Sequence, residues 1–97
     1  MLYQQVFGCG FNLGIDLPGS FIDQSYKNDE CPCFVCHLGE QSLFLWVDFE
    51  MPEKREDSKN QRYTLDLHTG GQFHKRVIQT DCQEEITEFL KRYSTGE

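Results

Sequence analysis

Alternation of apolar and polar positions is clearest over Ser42–Glu50, where Leu43, Leu45, Val47 and Phe49 fall on one face of a strand by the two-residue period. Phe44 and Trp46 fall on the other face, followed by Asp48 and Glu50. The pattern predicts a central strand whose far end emerges into solvent, closed by Pro52. Phe34–Leu38 is the strand before it, joined through a turn at Gly39-Glu40-Gln41. Arg62–His68 is a further strand, with Tyr63, Leu65 and Leu67 facing in, and Thr69-Gly70-Gly71-Gln72 turns it back into Phe73–Gln79. His68 and His74 flank that turn and are expected to approach each other across it. Residues 53–61 carry no apolar side chain and read as a solvated connector.

A helix follows. Thr80 with Gln83, or Asp81 with Glu84, has the spacing of a capping box. Ile86, Phe89, Leu90 and Tyr93 recur at helical spacing as one apolar stripe. Lys91 and Arg92 suit the last turn, and Gly96 ends it. The first thirty residues are patterned less clearly. Leu2–Phe7 is predicted as a short strand, and four glycines between positions 8 and 19 argue for turns or close backbone approach, not regular structure. Ser20–Lys27 fits a helical turn or an irregular segment. The predicted fold is α+β: an antiparallel sheet of three to five strands with the C-terminal helix packed on one face. Leu43, Leu45, Val47, Tyr63, Leu65, Leu67, Ile86, Phe89 and Leu90 are its expected core.

Length keeps this to a single domain, 1–97, and excludes repeat arrays and large catalytic barrels. No apolar run approaches the roughly 20 residues that span a bilayer, and no signal peptide is visible. A soluble, cytoplasmic protein is expected.

Charge sharpens the picture. The net charge is −7, and it is unevenly placed. Residues 1–53 hold eight acids against one base, Lys27, whereas residues 54–97 hold eight of each. Binding to nucleic acid needs lysines and arginines on the phosphates, and an anionic membrane makes the same demand. Neither is expected here. A basic protein surface is the complementary partner. Asp48 and Glu50 would stand about 6.5–6.8 Å apart on one strand face, comparable to the spacing of neighbouring phosphates. With Asp23, Asp29, Glu30, Glu40 and Glu53 they make the candidate partner-binding set, and Trp46 beside them supplies an aromatic anchor. The competing reading is that Lys54, Arg55 and Lys59 fold back and neutralise this region.

Five cysteines cannot all pair within one chain, and buried thiols are the default in the cytosol. Cys31, Cys33, Cys36 and His37 nevertheless place four soft ligands in seven residues, and a small zinc-binding module is the alternative function. One short loop rarely closes a tetrahedron, and adjacent Cys36 and His37 point oppositely on a strand. Cys33-Phe34-Val35-Cys36-His37 also matches a c-type haem attachment pattern, but lies in a strand without an export signal. Redox use of the same C-x-x-C lacks the helix that should follow. No cofactor is expected. No nucleophile with a paired base, and no phosphate loop, can be recognised, so no enzyme is expected.

A small, acidic, cysteine-containing domain of this kind resembles the phage-encoded anti-CRISPR proteins, above all those that act on type I surveillance complexes by imitating DNA. The resemblance lies in size, net charge and the α+β pattern over the whole chain. It implies a non-catalytic inhibitor in the host cytosol. Such an inhibitor would sit in the positively charged channel that receives target duplex and block recognition. The balanced second half departs from a uniformly acidic mimic and favours one acidic face. A generic protein-interaction or immunity-type module remains the other alternative.

Overall fold

The computed structural model describes residues 2–8, 11–15, 17, 21–25, 31–55 and 59–95, with the backbone alone for 2 and 93–95. The elements are α1 (Leu2–Phe7), β1 (Ile22–Asp23), β2 (Cys33–Leu38), β3 (Gln41–Val47), β4 (Tyr63–Thr69), β5 (Gln72–Thr80) and α2 (Gln83–Thr95). The strands form one antiparallel sheet in the order of the sequence, β1-β2-β3-β4-β5. This is the expected α+β architecture with a C-terminal helix. Among the described residues no helix is long and apolar enough to cross a membrane.

The inner face of the sheet carries the core. Phe34 and Cys36 stand in register with Leu45 and Leu43, which in turn face Leu65 and Leu67. Val47 pairs with Tyr63 at the end of the row. Ile86 and Leu90 of α2 close this layer from above, with Phe89 packed beside them half-buried. Every residue of the expected core is therefore in it. The side chain of Tyr93 lies outside the described set.

Two expectations fail at the front of the chain, while the described part of the glycine-interrupted stretch is irregular as expected. Residues 2–7 form a helix, not a strand. In Leu-Tyr-Gln-Gln-Val-Phe the apolar residues come in pairs around two glutamines, which is helical spacing. Tyr3 is buried, with its ring edge-on to Phe34 at 5.6 Å and to Phe11 at 6.2 Å. Ile22–Asp23 is an edge strand, held by the Gln24 amide donating to the Cys33 carbonyl at 2.9 Å. Leu13 and Phe21 enter the core beside Tyr3, so the glycine-interrupted segment is structural filling. Gly14 shows why one of those glycines is needed. Its φ is +76°, and a Cβ there would stand 2.7 Å from Arg62 Nη1, Gln83 Nε2 and Tyr63 Oη.

Two local registers also differ from expectation. His68 opposes Phe73, not His74, because the β4–β5 pairing shifts between Leu67 and His68. The helix begins at Gln83, later than either capping box would place it. Thr80 still ends β5, its Oγ1 accepting from the Cys82 amide at 3.0 Å. Asp81 turns away to the Arg62 amide at 2.8 Å and to Arg55 Nη1 at 3.2 Å. Gly96 lies outside the described residues.

Candidate functional site

The expected row of carboxylates does not form. β3 stops at Val47, so Asp48 and Glu50 do not share a strand face. Asp48 is buried at 5% exposure. Its Oδ1 accepts from the Phe49 amide at 2.8 Å, and its own amide donates to the Arg62 carbonyl at 2.6 Å. Arg62 Nε returns a bond to the Asp48 carbonyl at 3.2 Å. The physical reason lies in the chain path. Phe49 turns its ring back to Phe11 at 5.1 Å and Phe7 at 6.4 Å, which bends the backbone off the sheet and folds Asp48 under it.

The other candidates scatter. Asp23 is half-buried and structural: Oδ2 accepts from the Tyr3 amide in the first turn of α1 at 2.8 Å, and Oδ1 from Ser25 at 3.1 Å. Glu40 is exposed in the β2–β3 turn, where its carbonyl accepts from the Gly70 amide at 3.0 Å. That turn is a whole strand away from Glu50, on the order of 20 Å for seven residues. Trp46 is half-buried on the outer face of the sheet. Glu50 and Glu53 are exposed at the other end. Asp29 and Glu30 lie outside the described residues.

The zinc set fares no better. Cys36 faces the core opposite Leu43, while Cys33 and His37 lie on the outer side of β2. Cys31, Cys33 and Cys36 are buried, whereas His37 is exposed with Nδ1 3.0 Å from Ser42 Oγ. Strand alternation divides the ligands between two faces, and among the described residues no three His, Cys, Asp or Glu gather as a metal site.

The geometry gathers a different set. A groove is lined by Glu50, Pro52, Arg55, Arg62, Asp81 and Gln83. Glu53 sits in the short 3-10 turn Pro52–Lys54 that borders it, and Glu84 follows Gln83 on the first turn of α2. Asp81 is 61% exposed, and Glu50, Glu53 and Glu84 are exposed too. The two arginines are buried. Arg55 donates from Nε to the Phe49 carbonyl at 2.7 Å, and from its Nη groups to the carbonyls of Asn60 at 2.6 Å and Glu50 at 3.2 Å. Arg62 reaches the carbonyls of Asp48 and Asn12. The connector is thus not simply solvated: Arg55 folds back, as the competing reading expected, and partners Asp81 while its other donors serve the backbone. Below the groove, burial pushes the Tyr63 phenol above its ordinary pKa, against the nearby Arg62 guanidinium.

No family model, curated protein or solved structure matches the chain.

What the arrangement can do chemically follows from its own groups. Glu50 and Asp81 meet in the groove, and Glu53 and Glu84 each follow one of its lining residues in sequence. Arg55 and Arg62 turn most of their donors inward on carbonyls, although Arg55 also pairs with Asp81, and Lys54 is exposed beside Glu53. No sequence pattern links positions thirty residues apart, so Asp81 was not expected beside Glu50. On the outer face a second concavity of about 400 Å³ opens between Trp46, Thr64, Asp66, Arg76 and Gln79.

Proposed function

We propose that this domain is a non-catalytic inhibitor that docks its acidic end on a basic protein surface built to receive nucleic acid. Glu50, Glu53, Asp81 and Glu84 stand where phosphates would stand. Target recognition is blocked by occupation of the site, in the manner of the acidic phage anti-CRISPR proteins that the chain resembles. The observation that carries the reading is the groove that brings Glu50 and Asp81 together, with exposed Glu53 and Glu84 next to its lining residues, around Arg55 and Arg62, whose buried guanidinium groups bond mostly to main-chain carbonyls. Such an end presents negative charge without an equal display of positive charge, which favours encounter with a basic surface.

The test is competition. A purified type I surveillance complex is titrated with the protein in the presence of labelled target duplex, at several salt concentrations. Displacement of duplex is expected, weakening as salt rises because exposed charges are screened beyond about 8–10 Å. Reversal of Glu50, Glu53 and Glu84 to lysine should abolish displacement, since like charges then face each other across the interface. Displacement that is absent, or that survives both salt and the triple reversal, rejects the reading.

A further inference from the structure

The outer face of the sheet holds an arrangement that the acidic end does not use. β5 carries an extra residue between Ile78, which opposes Leu65, and Arg76, which opposes Asp66. Without that bulge Val77 would oppose Asp66, and Arg76 would turn to the inner side. Bulges re-aim side chains in this way and are treated as built features. Here the shift sets Arg76 across from Asp66, with Arg76 Nε donating to Asp66 Oδ1 at 3.0 Å. Asp66 is almost wholly buried, its side chain 9% exposed, while Arg76 is 51% exposed. A buried carboxylate thus grips the guanidinium at one nitrogen. Among the described residues the two Nη groups make no hydrogen bond, and both residues line the 400 Å³ cavity. Trp46 forms another wall, beside its register partner Thr64, on whose Oγ1 Gln79 Nε2 is held at 3.2 Å.

We propose that this cavity binds a small carboxylic acid with a flat apolar body, its carboxylate on the Nη edge of Arg76 and its body against Trp46. A guanidinium fixed through Nε has left a planar pair of donors that matches two carboxylate oxygens. The volume falls within the range of small-ligand sites, and Trp46 supplies a flat apolar wall in an otherwise mostly polar lining. A carboxylate is favoured over a phosphate on charge, because the two acids of the lining offset its two arginines, Arg62 and Arg76, and leave no surplus of positive charge for a second anionic charge. The chain carries −7, and Asp48 and Asp66 both line the cavity, so a dianion is repelled more strongly than a monoanion.

Trp46 is the chain's one tryptophan, so its emission reports on this cavity. The full-length protein is titrated with phenylacetate, benzoate and indole-3-acetate, and with phenylacetamide and phenyl phosphate for comparison; the non-indole ligands are followed by fluorescence and all of them by amide chemical shifts. At least one acid should bind saturably, and phenylacetamide should bind at least about tenfold more weakly than phenylacetate, the loss expected for a charge-assisted hydrogen-bonded pair. Arg76→Lys keeps the charge but not the fork, and should weaken acid binding about tenfold. The double variant Asp66→Asn/Arg76→Gln removes both charges while keeping a cross-strand hydrogen bond. It should stay folded and lose the preference for acid over amide. Three results overturn the proposal: no saturable binding by any acid, equal affinity for acid and amide, or unchanged binding in both variants. Tighter binding of phenyl phosphate than of phenylacetate overturns the carboxylate assignment.

Discussion

Replacing Asp48 by lysine should remove a large part of the protein's stability, and replacing Glu50 by lysine should leave it nearly untouched. The two residues are neighbours but one, and both are acidic, yet the chain treats them oppositely. Asp48 is 5% exposed, and its carboxylate is the acceptor for the Phe49 amide. A lysine there would bury an ammonium group beside the Arg62 guanidinium, whose Nε already bonds the carbonyl of the same residue at 3.2 Å. It would also leave the Phe49 amide without that acceptor. An uncompensated buried charge costs about 3–5 kcal/mol. The whole domain holds on the order of 5–15 kcal/mol. Asp48→Asn keeps an acceptor of the same shape and should cost about 0.5–1.5 kcal/mol. Glu50 is exposed, and surface substitutions usually stay within about ±0.5 kcal/mol. Urea unfolding followed by circular dichroism ranks the four proteins. The expected order of midpoints is wild type with Glu50→Lys, then Asp48→Asn, then Asp48→Lys far below. If Asp48→Lys unfolds at the same midpoint as Glu50→Lys, its side chain is at the surface and the bend after Val47 is wrong.

Two further substitutions probe the interior. Leu45 is fully buried between Phe34 and Leu65 on the middle strand, so Leu45→Ala should cost about 2–5 kcal/mol in the same urea assay, and a loss below about 1 kcal/mol would contradict that position. Tyr63 donates its hydroxyl to the Leu13 carbonyl at 2.7 Å, so Tyr63→Phe should cost about 1–3 kcal/mol at neutral pH. Burial raises the phenol's pKa above the ordinary 10.0 in the folded state, so the folded chain keeps a proton that the unfolded chain has lost. That contribution is complete below the unfolded value and is lost as pH rises through the folded one. The stability gap between wild type and Tyr63→Phe should therefore narrow above about pH 10, and a gap that stays constant there would count against the buried phenol.

The back of the chain was legible in its sequence because period decides it. Leu43, Leu45 and Val47, then Tyr63, Leu65 and Leu67, alternate strictly, and short glycine turns join β2 to β3 and β4 to β5. The front was not, because α1 is only six residues long and is fixed by what it meets: the Asp23 carboxylate on the Tyr3 amide, and Phe34 under the Tyr3 ring. Those partners lie 20 or more residues away, beyond the reach of local pattern. The site failed for a related reason. Two-residue spacing predicts one face for Asp48 and Glu50 only while the strand continues, and the strand ends where Phe49 finds Phe11. Burial of Arg55 and Arg62 was equally hidden, since their partners are mostly carbonyl oxygens, which carry no sequence signature.

Because the sheet follows chain order, with tight turns between β2 and β3 and between β4 and β5, most of its pairing joins residues close along the chain. Such low contact order favours rapid assembly of the strands. The front of the chain is different. Its ties through Tyr63 to Leu13 and through Arg62 to Asn12 each span 50 residues, so a long loop must close before they reward it. The meander should therefore form in the folding transition state, and the N-terminal segment should dock afterwards as a clasp. In stopped-flow experiments Leu45→Ala should slow refolding, whereas Tyr63→Phe should leave refolding unchanged and hasten unfolding. Slower refolding of Tyr63→Phe would place the clasp early. Kinetic persistence of the native protein thus depends on a segment that takes no part in starting the fold, and strengthening the grip on Leu13 and Asn12 lengthens its lifetime without altering how fast it folds.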